Sequence, residues 1–246
     1  MTPITALGSR YGIQGALGRS VKRASTASTW WDLNGTITSC VAAYQPKGAA
    51  SYAASLTDLS GNGYDIDDGT DPSFNTGTGW YFDGVDDYLF TSTFPINNGD
   101  FTIAAFINPT IAHNNSSVIC SSNSYNGSTY INGWMAKSEQ YDDTGKIGYS
   151  VRKVGDYASS ITPPSSDFVV VFTRSGTSVN IYMGASNWST TTGPMNYISA
   201  NGLYIGARMT TTASDFYKNY MYAIALYDTV LTTQNISDLS TAMAAL

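Results

Sequence analysis

Carboxylates are the most numerous groups in this chain able to do chemistry, and nearly all of them are aspartates. Of 18 acidic residues, only Glu139 is a glutamate. Asp58, Asp65, Asp67, Asp68, Asp71, Asp83, Asp86, Asp87 and Asp100 fall between Lys47 and Lys137, an interval with no lysine or arginine. Hard cations take six to eight oxygen ligands, which loops rich in Asp, Asn and backbone carbonyls supply. Asp58, Asp83, Asp86 and Asp87 are therefore the candidate calcium ligands, with Asp65, Asp67, Asp68 and Asp71 as further carboxylates of the same stretch. The alternative is that these side chains cap solvated turns.

Hydrolysis of a glycosidic bond needs two carboxyl groups flanking it. With one glutamate, a Glu-x-Asp-x-Glu strand is absent. The pairs Asp86-Asp87 and Asp142-Asp143 would point to opposite faces of a regular strand. His113 is the only histidine and sits in a loop-like stretch, so a Ser-His-Asp triad has little to build on. Zinc lacks Cys and His ligands at usable spacing, and no phosphate-binding loop occurs. The chain reads as non-enzymatic. Sugar binding asks for aromatic rings that stack on sugar faces beside polar side chains. Tyr125, Tyr130, Trp134, Tyr157 and Trp188 are the candidates, with Tyr141 and Tyr197 in similar polar surroundings.

The elements that must position these residues are strands. Hydrophobic residues make up 42% and charged residues 12% of the chain, and 18 tyrosines suit half-buried pleats. Trp80 and Phe82 alternate with Tyr81, Asp83-Gly84 offers a tight turn, and Tyr88, Leu89 and Phe90 resume extended structure; together they predict a hairpin. Further strands are expected at 41–44, 64–66, 101–108, 117–120, 133–136, 146–152, 168–174, 178–183, 203–207 and 216–227. The clearest hairpin turns at Ser175-Gly176-Thr177. About a dozen short strands spaced this way predict an all-β sandwich at 29–246. One helix is expected at the C-terminal end, capped by Thr232 with Ile236, Leu239 and Met243 on one face, as a lid on an edge or end of the sandwich.

Residues 1–28 differ in kind. Arg10, Arg19, Lys22 and Arg23 lie there without any acid; the net charge of the whole chain is −6, so the rest sums to −10. This segment reads as a basic anchoring arm that orders on a partner, or else as a frayed end or a short helix over 14–23 resting on the domain. The acidic body should not bind nucleic acid. The first residues lack the pattern of a signal peptide, and no stretch approaches a membrane span, so synthesis in the cytoplasm without membrane insertion is expected. Cys40 and Cys120 are expected as buried thiols rather than a disulfide.

Several stretches in this order resemble the concanavalin A-like jelly roll of the laminin-G-like family, over roughly residues 40–242. Leu59-Ser60-Gly61-Asn62-Gly63 is similar to a family loop near the start, with Asp58 shifted by one. Residues 82–89 resemble its aromatic-Asp-Gly signature, and 100–109 its central strand, with Phe106 where tryptophan is usual. Residues 203–207 and 222–232 resemble the closing strands and the entry to the last helix, where Asn235 replaces a glutamate. The resemblance implies a jelly-roll β-sandwich and makes calcium at a loop rim an expectation. Residues 43–55 look like the opening of laminin-G-like proteins of tailed bacteriophages. That likeness implies a virion protein, a capsid decoration, head fibre or tail-associated adhesin. Such a protein would dock on capsid or tail proteins through residues 1–28, form a homo-oligomer in the particle, and meet host surface glycans. A cellular lectin module and, less favoured, a polysaccharide hydrolase are the other readings.

Overall fold

Seven consecutive buried residues make the strand Phe101–Ile107 and reveal how the molecule is layered. Successive side chains of a strand point to opposite faces. Phe101, Ile103, Ala105 and Ile107 enter one apolar cluster, while Ala104 and Phe106 enter a second. A strand that is apolar on both faces has to be covered on both. The computed structural model describes residues 29–92, 100–108, 117–125, 130–139, 145–151, 154–184, 186–194, 202–209 and 212–246. The arm at 1–28, with Arg10, Arg19, Lys22 and Arg23, falls outside these, as does His113.

In chain order the described elements are β1 (Cys40–Tyr44), α1 (Tyr52–Ser55), β2 (Asp68–Thr70), β3 (Ser73–Asn75), β4 (Gly79–Asp83), β5 (Tyr88–Thr91), β6 (Phe101–Ile107), β7 (Ser117–Tyr125) and β8 (Tyr130–Glu139). Then follow β9 (Gly148–Val151), β10 (Gly155–Ala158), β11 (Phe168–Ser175), β12 (Ser178–Met183), β13 (Ser186–Thr191), β14 (Leu203–Ile205), β15 (Arg208–Met209), β16 (Ala213–Ser214), β17 (Lys218–Tyr227) and α2 (Thr233–Ala244). One sheet of eight strands runs β13-β12-β11-β6-β17-β4-β3, with β1 paired alongside β17. A sheet of seven runs β10-β9-β8-β7-β14-β5-β2, and β15 pairs with β16 as a small ribbon. The described pairings of both sheets are antiparallel, giving the expected jelly-roll sandwich.

Aromatic side chains fill the gap between the sheets. Phe101 meets Trp134 with ring centroids 5.2 Å apart, Phe82 meets Tyr217 at 5.7 Å, and Tyr149 meets Phe172 at 6.4 Å. Cys120 is buried here and Cys40 is half-buried at the start of β1; both are free thiols, and burial followed by the carboxylates of Asp58, Asp32 and Asp228 pushes Cys40 up to about 12. The β11–β12 hairpin forms as expected, Ser175 facing Ser178 across a turn in which Gly176 takes φ +55°.

Three expectations fail instructively. β4 and β5 do not pair as a hairpin; β4 joins the eight-stranded sheet beside β17, and β5 joins the seven-stranded sheet beside β14. The Asp83-Gly84 turn instead arches from one sheet to the other, which lets Trp80, Phe82 and Leu89 all point into the gap. Residues 64–66 form no strand, since the Tyr64 and Ile66 amides are used by the Asp58 carboxylate and the Leu56 carbonyl. The last helix begins where expected, Thr232 accepting from the Asn235 amide at 3.1 Å. It does not lid an edge, however. Its Ile236, Leu239 and Met243 lie with Trp30, Ile37 and Leu231 over the outer face of the eight-stranded sheet, because β6, β11 and β17 are apolar outward as well as inward.

Candidate functional site

The arch between β4 and β5 gathers three carboxylates. Oxygens of Asp83, Asp86 and Asp87 all lie within 4.8 Å of one another. Asp86 and Asp87 converge because they stand in the irregular link between β4 and β5 and not in the regular strand that would have separated them. Asp83 Oδ1 accepts from the amide of Val85 at 2.7 Å, and Asp87 Oδ2 accepts from the amide of Asp83 at 2.8 Å. Gly84, at φ +78°, supplies the left-handed backbone on which this depends. Burial raises the Asp87 pKa, and the charges of Asp83, Asp86 and Asp71 push the same way against the bond from the Asp83 amide. Three converging anions fit a hard cation in donor type, although half of a calcium shell would have to come from carbonyls and water.

Asp58 is not part of that cluster. Its Oδ1 accepts from the amides of Ala43 at 3.0 Å and Ser60 at 2.9 Å, and its Oδ2 from the Ser60 hydroxyl at 2.8 Å and the Tyr64 amide at 3.2 Å. A carboxylate has about four lone-pair sites, so none is left for a metal. Asp58 pins the loop at 58–64 to β1, aided by Asn62 Nδ2 donating to the carbonyls of Cys40 and Val41.

The aromatic candidates scatter. Trp134 is 0% exposed in the inter-sheet core and is not a sugar-stacking ring; its alternation with the outward Met135 turns it inward against Phe101. Tyr157 on β10 and Trp188 on β13 are half-buried, registered opposite the buried Tyr149 and Ile181. They cover the gap along the edge strands and do not stand in polar loops. The side chains of Tyr125 and Tyr130, and residues Tyr141 and Tyr197 entirely, fall outside the described residues.

A different site, not foreseen from the sequence, lies on the outer face of the seven-stranded sheet. Register aligns Met135 of β8 with Ser150 of β9, and Ser150 with Asp156 of β10, so all three face outward. Lys137, two residues after Met135, is 2% exposed, and its ammonium donates to Asp156 at 3.2 Å; Asp156 itself is 45% exposed and also accepts from the Ser150 hydroxyl. Burial pulls the Lys137 pKa down, and the carboxylates of Asp156 and Asp215 oppose it. The ribbon β15–β16 borders this face: Arg208 pairs with Asp215 at 2.9 Å and donates to Ser214 at 3.2 Å. Met135, Ser150, Val154, Asp156 and Arg208 line a cleft of about 290 Å³. Fixed charges and hydroxyls thus stand beside aliphatic surface, a combination able to bind a polyhydroxylated ring by its polar edge and its C–H face. The one sequence signal was a lysine at strand spacing from Met135.

Comparison with known proteins agrees with this architecture. The profile of the Concanavalin A-like lectin/glucanases superfamily matches residues 83–237, and the chain belongs to that superfamily. A search of curated protein sequences returned no match. Among solved structures, the chain is similar to the sialidase of Trypanosoma rangeli in complex with 2,3-difluorosialic acid, with TM-score 0.63 and 12% identity over 84% of this chain. It spans only 33% of that sialidase. It is also similar to domain 4 of AbnA, a GH43 extracellular arabinanase of Geobacillus stearothermophilus in complex with arabinotriose, at TM-score 0.60 and 15% identity, covering 82% of this chain and 98% of that one. A third is botulinum neurotoxin type C, whose cell entry depends on two ganglioside molecules, at TM-score 0.56 and 12% identity, covering 83% and 51%. At such identities the likeness is one of fold. No helix among the described residues is long and apolar enough to cross a membrane.

Proposed function

We propose that the chain is a non-enzymatic carbohydrate-binding display domain, carried on a bacteriophage particle by its basic arm. The observation that carries the sugar reading is the outward cleft over Lys137, where Asp156, Ser150 and Arg208 are held in place beside Met135 and Val154. Its volume is at the small end for ligand sites, suited to one sugar ring at a chain end and not to a buried oligosaccharide. The sialidase, the arabinanase domain and the neurotoxin all meet sugars, which is in keeping with this reading. Asp156 and Asp215 are each engaged by a cation, so neither is poised as an acid and base pair. Calcium, where bound, would sit at Asp83, Asp86 and Asp87 and stiffen the arch at one end of the sandwich.

The virion placement rests on the arm and on the likeness of residues 43–55 to phage proteins. Particles assembled with a chain lacking residues 1–25 should lose the protein while the domain still folds; full occupancy would sink the anchoring role. A glycan array probed with the full chain, with and without calcium, tests the cleft. Binding to a defined terminal sugar that Lys137→Met abolishes is expected, and silence across the array under both conditions would leave a purely structural decoration.

A further inference from the structure

Arg174 ends the inward row of β11, registered opposite Phe101 of β6, and is 1% exposed in the gap between the sheets. A guanidinium remains charged at any pH the fold survives. Burying one is costly unless hydrogen bonds and a counter-charge accompany it. One terminal nitrogen donates to the Thr192 hydroxyl at 2.9 Å and the other to the Gly193 carbonyl at 3.3 Å, both neutral acceptors. Among the described residues the ion pairs are Lys137–Asp156 and Arg208–Asp215, so no carboxylate there pairs with Arg174. Asp100, next to Phe101 in sequence, is turned to the β11–β12 hairpin, accepting from the Ser175 hydroxyl at 3.0 Å and the Gly176 amide at 3.1 Å.

The Nε of Arg174, Trp134 Nε1 and the Tyr149 hydroxyl, all buried, have no partner at full hydrogen-bond geometry, although the Arg174 guanidinium stands close enough to the Tyr149 phenol oxygen to donate a weak bond to it. Trp134 packs on Phe101, the residue facing Arg174 across the ladder. Tyr149 packs on Phe172, two residues before Arg174 on the same face. The β8–β9 register makes Trp134 and Tyr149 diagonal neighbours on the opposing sheet. Burial pushes the Tyr149 phenol up, and the adjacent Arg174 guanidinium partly offsets it by its charge and by a hydrogen bond to the phenol oxygen, which leaves the phenol O–H itself without an acceptor. Two of the three groups only donate, the third is free to donate, and the one charge among them is positive. Buried polar groups in folded proteins almost always find partners, so unused donors beside a guanidinium without a counter-charge point to something that binds there.

We propose that the cluster of Arg174, Trp134 and Tyr149 between the sheets binds a small monovalent anion of the halide class. The anion supplies both the missing acceptor and the missing counter-charge, whereas a buried water supplies only the first. This site lies on the inner face of the sheet that carries the Lys137 cleft on its outer face, and it does not depend on the sugar reading.

The test is thermal unfolding of the full chain in sodium chloride and in sodium gluconate at equal ionic strength. A ligand of the folded state alone raises Tm by roughly 3–5 °C per tenfold increase above its Kd for a chain of this size. Chloride should produce that rise and gluconate should not, and Arg174→Met should flatten the chloride response. Should that variant fail to fold, diffraction from bromide-soaked crystals of the unmodified chain decides alone: an anomalous peak within hydrogen-bonding reach of Arg174 Nε and Trp134 Nε1 is expected. Equal melting in the two salts, a chloride response retained by Arg174→Met, or a water without anomalous signal at that place would each overturn the proposal.

Discussion

The outer face of the eight-stranded sheet carries Ala104, Phe106, Val169, Val171, Ala225 and Tyr227 in one apolar cluster with α2 and Trp30, whereas that of the seven-stranded sheet carries the buried Met135, Lys137 and Ser150 and the exposed Asp156. Both faces belong to antiparallel sheets that share one core. The first spends its outward positions on burial, and β6 in consequence is buried along its whole length. The second buries Met135, Lys137 and Ser150 as well, but spends its outward positions on polar groups and leaves Asp156 and Arg208 in contact with solvent. A sheet needs only one packed face to hold, and the other is free to bind. The stabilising weight of this protein should therefore be lopsided, and substitutions on the two outer faces can show whether it is.

The largest effect is expected at Leu239, fully buried between α2 and the sheet. Leu239→Ala should cost about 2–5 kcal/mol, because it removes buried methylenes and leaves a cavity. Chemical denaturation with an unchanged m-value would confirm the figure. A loss under about 1 kcal/mol would mean that the helix rests on the sheet without stabilising it. The next effect down is at the helix start, where Thr232→Ala removes the acceptor of the Asn235 amide. About 1 kcal/mol should be lost, read by the same denaturation.

These two variants sit in a region that was largely legible in the sequence, and the reason is physical. Thr232 with Ile236, Leu239 and Met243 is a local pattern, and so is the Ser175-Gly176-Thr177 turn; each is decided within a few residues. The membership of β4 and β5 in different sheets is decided by partners more than a hundred residues away, β17 and β14. Asp83-Gly84 could say that the chain turns, but not toward which sheet. The edge strands β10 and β13 are polar and carry no alternation, so they passed as loops. The outer cleft is assembled by register from segments near 135, 150, 156 and 208, none of which is a motif alone. Asp58 was the near miss. An aspartate two residues before Ser60 in a Gly-Asn-Gly loop is the pattern of a side chain capping its own turn, and that is how it is used.

On the polar face the expected effect on stability is smaller. Lys137→Met keeps the stem that packs under the cleft and removes a buried charge whose partner, Asp156, can turn to water. Exchanging a buried ion-pair member for an apolar side chain of similar volume is often neutral when the partner remains solvated. Stability within about 1 kcal/mol of the unmodified chain is expected, together with the loss of any sugar binding. A large destabilisation would erase the contrast between the faces, since the cleft charges would then be part of what holds the sandwich together.

The smallest effect belongs to the arch, and it is a matter of pH. Asp87 has a folded pKa raised from its ordinary value of 3.8, by burial first and by Asp83, Asp86 and Asp71 after it. Between that value and the folded one, the folded chain binds more protons than the unfolded chain, so stability falls as pH rises through the window. The Tm advantage of the unmodified chain over Asp87→Asn should accordingly shrink as pH climbs from about 4, then level off once Asp87 is ionised in both states. A cation held by the three carboxylates would replace the proton as counter-charge. Millimolar calcium should therefore restore the difference at neutral pH, and restore it less in Asp83→Asn. A difference that ignores both pH and calcium would reduce the cluster to a solvated turn, leaving the Lys137 face as the one proposed binding surface on the outside of the sandwich.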